Sequence, residues 1–226
     1  MLRELAGPRE SRSGRAIAAS AAAGLALSAV VALTFWNWQR DAEGPAPVAA
    51  VLRAPPSGPG AAAGRRALSV PMYKQWDPAW GDDLLGPTRD PMRFTGCTVC
   101  CVAMAFSAQG RPTTPKELND WLKAHGGYTR QGLLKWEKCE EFSGGAFALD
   151  YHGPAERARL DAALAAGRPA IVKVLLEGGV AHWVLVIGTE DGEYLVNDPL
   201  NETREPARLS AYGRYLHALR VFRKAR

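Results

Sequence analysis

Gln75, Cys97, His182 and Asp198 occur in the chain order and local settings that a thiol hydrolase needs. Cys97 opens an apolar run, GCTVCCVAMAF, which reads as a helix. A thiol at a helix N-terminus meets unpaired backbone N–H groups and the positive end of the helix dipole, and both favour the thiolate. Gly96 before it permits a sharp approach and leaves the sulfur accessible. His182 begins HWVLVIG and Asp198 closes the next strand-like run at YLVNDP. An imidazole beside that thiol would take its proton and later return it to a leaving group. A carboxylate behind the imidazole would hold the tautomer and stabilise the cation. Each residue has an ordinary alternative: a core cysteine at a helix start, a structurally satisfied histidine, an Asp-Pro turn. The remaining histidines have weaker settings, His125 at a helix end, His152 in a loop and His217 within a terminal strand.

The elements that must position these groups read as α+β, a helical part followed by an antiparallel sheet. The first helix is expected from Gly96 or Cys97 to before Gly110. Thr114 then caps a second helix, with Pro115 at its first position, Glu117 completing a capping box, and Leu118, Trp121 and Leu122 as its apolar face. Short helices are expected over 131–138 and 154–166, and the stretches 77–95 and 139–155 read as loops. AIVKVLL, HWVLVIGTE, GEYLVND and YLHALRVF read as strands, with Glu190-Asp191-Gly192 as the turn that brings His182 and Asp198 onto one hairpin.

The four cysteines, Cys97, Cys100, Cys101 and Cys139, admit further readings. Cys97-x-x-Cys100 is a zinc or redox spacing, but a second ligand pair and a βαβ context are both missing. A disulfide from Cys139 to Cys100 or Cys101 suits an extracytoplasmic domain. Buried, apolar thiols are the default for Cys100 and Cys101.

Upstream, residues 16–36 carry no charge and reach about 31 Å as a helix, enough for a hydrocarbon core of about 30 Å. Arg3, Arg9, Arg12 and Arg15 precede this run, and Trp36 and Trp38 mark its far edge. The reading is a basic cytoplasmic N-terminus over 1–15 and a transmembrane signal anchor over 16–38. A Pro/Ala/Gly-rich linker over 39–69 follows, then a folded domain over 70–226. This implies single-pass attachment to the membrane with the domain outside the cytoplasm; a cleaved signal peptide and a secreted or periplasmic domain are the alternative. Residues 1–66 hold 8 basic and 4 acidic side chains, and the remainder 20 and 19. The folded part is therefore nearly neutral and has no basic stripe, which argues against nucleic-acid binding. The oligomeric state is not readable.

YKQWDPAW, GCTVCCVAMAFSAQGRPTTPKEL, GRPAIVKV, AHWVLVIG and YLVNDP together resemble the C39-like peptidases of the papain-like cysteine peptidase superfamily. The resemblance covers about residues 71–200. It implies a papain-like fold in which Gln75 donates to the oxyanion, Cys97 attacks, His182 is the base and Asp198 orients it. TVCC after the nucleophile departs from the pattern by placing two more thiols close by. The implied activity is hydrolysis of a peptide or protein substrate without metal or organic cofactor. A non-catalytic peptide- or cell-wall-binding module and a peptidoglycan-stem amidase or transpeptidase are the alternatives.

Overall fold

Four near-continuous apolar runs, buried on both faces, build the sheet that the rest of the protein packs against. The computed structural model describes residues 50–51, 64–213 and 215–225, so the expected 16–38 anchor lies outside the described residues. Among the described residues, no helix is long and apolar enough to cross a membrane. In chain order the strands are β1 (Ala50–Val51), β2 (Arg65–Ala67), β3 (Phe147–Gly153), β4 (Ala170–Leu175), β5 (Ala181–Glu190), β6 (Glu193–Asn197), β7 (Ala207–Arg208), β8 (Tyr215–Leu216) and β9 (Ala218–Lys224). The helices are α1 (Met92–Thr95), α2 (Cys97–Ala108), α3 (Pro115–Ala124), α4 (Trp136–Phe142) and α5 (Arg157–Ala165). The main sheet runs β3-β9-β4-β5-β6-β7, and β2 also pairs with β5. Every pairing in it is antiparallel.

Alternation gives the sheet two apolar faces. Ile171, Trp183, Leu185, Ile187 and Phe222 face the helices and join Val99, Met104, Phe106 and Leu118. Val172, Val174, Val184, Val186 and Val221 face the other way, where Leu160 and Ala163 of α5 cover them. α2 is buried along every residue from Val99 to Phe106, as expected of a helix apolar all round. Phe106 stacks on Phe147 with ring centroids 4.5 Å apart and meets Phe222 edge-on at 5.1 Å, tying α2 to both β3 and β9.

Several expected elements form as read. α3 begins behind Thr114, whose hydroxyl accepts the Glu117 N–H at 3.1 Å, and buries Leu118 and Leu122. The β5–β6 turn has positive φ at both Asp191 (49°) and Gly192 (82°), the demand that an Asp-Gly pair meets. Other elements differ. The helix expected over 131–138 starts at Trp136 instead, because Gly132 adopts φ 87° and the Leu133 N–H is held by the Thr129 hydroxyl, which turns the chain there. The stretch 139–155 is not a loop: it holds the end of α4 and all of β3, so His152 is on a strand. The 77–95 loop contains α1. His217 lies between β8 and β9 rather than within a strand. Two stretches of the segment read as a linker are paired: β1 with β8, and β2 with β5.

Candidate active site

The site forms where the start of α2 meets the start of β5 and the end of β6. Cys97 is the first residue of α2, behind an N-cap glycine that offers no side-chain cap. A Cβ at Gly96 would sit 2.6 Å from the Met92 carbonyl oxygen, so only glycine lets α1 run into α2 here. Cys97 is half-buried, whereas Cys100, Cys101 and Cys139 have no exposed surface. All four thiols are free, so neither Cys100 nor Cys101 is bridged to Cys139. Burial pushes those three inner thiols well up in pKa, and Cys101 donates to the Trp183 carbonyl at 3.4 Å. They are core residues, and Cys97 alone of the four meets solvent.

His182 is 3% exposed and donates from Nε2 to Asp198 Oδ1 at 2.7 Å. The Cys97 side chain lies close enough to the ring to favour its charged form. With Nε2 engaged by the carboxylate, Nδ1 is the nitrogen left for the thiol. Burial works against a charged imidazole. The hydrogen bond to Asp198 and the nearby Cys97 side chain, with the charges behind them, outweigh it and raise His182 from 6.5 to about 9. Asp198 is likewise buried, which favours its neutral acid. The His182 hydrogen bond and charge, the Tyr212 hydroxyl and the Leu200 N–H outweigh burial and bring it to about 2.

The carboxylate is fully engaged. Oδ1 accepts from His182 and from the Leu200 N–H at 2.7 Å, while Oδ2 accepts the Tyr212 hydroxyl at 2.5 Å. Tyr212 is pushed up by its own burial and by Asp198, so it stays a donor. It lies in a single 3₁₀ turn, Leu209–Tyr212, in a stretch with no sequence pattern that marks it as a site residue.

Gln75 reaches the site by a different route. Its backbone N–H donates to the Pro199 carbonyl at 2.9 Å, and Nε2 donates to the Arg93 carbonyl at 2.8 Å. The side chain is 1% exposed, and Oε1 has no protein partner. One Nε2 hydrogen is thus committed to a carbonyl four residues before Cys97, which leaves the other as a donor. Arg93 contributes through its main chain, a role that residue type cannot signal.

A model of the Peptidase_C39 like family matches residues 67–217, well over half of the chain. The chain belongs to that family. Its C39-like domain also resembles two solved structures. One is a putative C39-like peptidase from Bacillus anthracis, at 12% identity and TM-score 0.46, covering 72% of this chain and 99% of that one. The other is a double glycine motif protease from an AMS/PCAT transporter, solved with the leader peptide, at 13% identity and TM-score 0.44, covering 70% and 94%. A search of curated proteins returned no match. Membership of the C39-like peptidases brings with it the papain-like superfamily and the α+β class. Helix α5, between β3 and β4, refines the expected order of helices first and sheet second.

Proposed function

We propose that the C39-like domain is a cysteine peptidase in which Cys97 is the nucleophile, His182 the general base and acid, Asp198 the orienting carboxylate and Gln75 an oxyanion donor. What supports this reading is the buried His182 ring, bonded to Asp198 Oδ1 at 2.7 Å and raised in pKa by Asp198 and by the nearby Cys97 side chain. His182 takes the thiol proton as the Cys97 sulfur bonds to a peptide carbonyl carbon, and the carbonyl π pair moves onto oxygen. The free Nε2 hydrogen of Gln75, with the backbone N–H at Cys97, meets that charge. As the tetrahedral species collapses, the C–N bond breaks and His182 protonates the departing amine. A water molecule then gives a proton to His182 and attacks the thioester, and the C–S bond breaks to release the acid and the thiolate. No step calls on a cofactor.

Three exposed apolar side chains, Trp76, Phe94 and Leu200, stand beside Gln75, Arg93 and Pro199 in sequence, which suits a polypeptide substrate better than a sugar. We further propose that residues 16–36 anchor the chain in a membrane, a reading that rests on their composition.

Labelling of the full chain in detergent with a peptide-based thiol electrophile tests the reading. Wild-type protein should be modified once, at Cys97, and Cys97→Ala not at all. Gln75→Ala should slow turnover of a peptide substrate by about 10²–10³-fold, the scale of one lost oxyanion donor. Product masses showing addition of water, rather than of an amine, separate a hydrolase from a transpeptidase. Wild-type turnover in Cys97→Ala would end the proposal.

A further inference from the structure

Lys74 is among the largest fully buried side chains of the described residues, yet it carries an ammonium. Its Nζ donates to the main-chain carbonyl of Asp198 at 2.6 Å and to Asn201 Oδ1 at 2.5 Å. The next residue, Gln75, donates its N–H to Pro199, and Trp76 Nε1 donates to the Leu200 carbonyl at 3.1 Å. Three consecutive residues, 74–76, are thereby laced to four consecutive residues, 198–201, each of which receives one bond. From behind, Trp80 Nε1 donates to the Lys74 carbonyl at 2.7 Å and fixes the segment that carries the lysine.

Burying an ammonium is costly unless its surroundings repay it. Desolvation lowers the pKa of Lys74, and the Asp198 charge works in the opposite direction. An apolar side chain would fill the same space without that cost. It would not hold the Asp198 carbonyl, nor the loop whose Leu200 N–H donates to Asp198 Oδ1.

We propose that Lys74 is a positioning residue that locks the Asp198 loop to the Gln75 segment, so that the carboxylate behind His182 and the oxyanion donor are held as one unit. This rests on the Cys97–His182–Asp198 reading. It assigns Lys74 no contact with substrate. Its effect reaches the thiol only through Asp198, which makes the effect conditional on that carboxylate.

A double-mutant cycle reads this condition directly. The rate of Cys97 alkylation by iodoacetamide at neutral pH is measured on the full chain in detergent, with the modified peptide identified by mass. The four forms are wild type, Lys74→Met, Asp198→Ala and the double variant. Lys74→Met should slow alkylation by about tenfold in the wild-type background and by less than about twofold once Asp198 is absent. An equal factor in both backgrounds would reveal a merely structural lysine and overturn the proposal, as would an unchanged rate in Lys74→Met. If Lys74→Met does not fold, Asn201→Ala replaces it in the cycle. That variant removes one Lys74 acceptor from a half-buried loop residue, and a smaller effect with the same dependence on Asp198 is expected. Failure of the underlying reading looks different: Asp198→Ala alone would then leave the alkylation rate unchanged.

Discussion

Tyr212 donates its hydroxyl to Asp198 Oδ2 at 2.5 Å, on the carboxylate oxygen opposite the one that meets His182. The imidazole is therefore backed by a carboxylate that cannot rotate without breaking a second bond.

Tyr212→Phe should remove that bond and little else. A hydrogen bond to a charged group contributes about 1.5–3 kcal/mol, so a fall of several degrees in melting temperature is expected at neutral pH. The sign with pH follows from Asp198. Its pKa is depressed from 3.8 to about 2, so its contribution is present above 3.8 and lost as pH falls through about 2. In the variant the folded-state pKa rises toward its ordinary value, and the acid loss should move to higher pH. Thermal scans of both proteins from neutral to acid pH measure it; coincident curves would refute the assignment.

His182 sets the opposite limit. Its folded pKa is raised from 6.5 to about 9, so the stability it contributes is complete below 6.5 and is lost as pH rises through about 9. Alkylation of Cys97 by iodoacetate, whose charge is drawn by an imidazolium, should decline across the same upper limit. In Asp198→Ala the decline should occur at lower pH, because the first of the groups that raise the histidine is gone. An upper limit that ignores Asp198 would contradict the pairing.

Gly188 tests the attachment of β2. A Cβ there would lie 2.1 Å from the Arg66 carbonyl oxygen and 2.6 Å from Ala67 Cα, both backbone positions that yield only if the strand moves. Gly188→Ala should cost about 1–3 kcal/mol and speed hydrogen exchange at the Leu68 N–H, which donates to the Ile187 carbonyl at 2.8 Å. Gly188 stands six residues along β5 from His182, about 20 Å of extended strand, so Cys97 labelling should be unaffected.

The N-terminal segment makes a separate prediction. If residues 16–36 are an uncleaved anchor, the protein stays with membranes through an alkaline carbonate wash, and residues 70–226 expressed alone are soluble. A mature N-terminus between about 41 and 68 on a soluble product would replace the anchor by a cleaved signal and leave the Cys97 chemistry intact.

The settings of Cys97, His182 and Asp198, a helix start and two neighbouring strands, were legible in the sequence because they are local. A helix start is written in Gly96 and the apolar run behind it, a strand in a short continuous apolar run such as HWVLVIG, and the Asp191-Gly192 turn in two residues that accept positive φ. Once that turn forms, antiparallel pairing brings β5 and β6 together and the histidine to its carboxylate. The helices at 97–108 and 115–124 follow from the same short-range rules. β3 was read as a loop although Phe147, Leu149 and Tyr151 alternate in FALDYHG; so short a run becomes a strand only because β9, some 70 residues later, offers it an edge. Lys74 and Tyr212 were hidden for a like reason. A lysine reads as a surface residue and a tyrosine near Gly213 as a turn, until chain folding places one under 198–201 and the other behind Asp198. Residue type and short spacing determined which groups could react, since helix ends and tight turns depend on a few neighbouring backbone angles. The depth of burial, and the partners that hold Asp198 and Gln75, were decided only in the tertiary structure, where contacts more than 120 residues apart in sequence set the local dielectric and complete the hydrogen bonds.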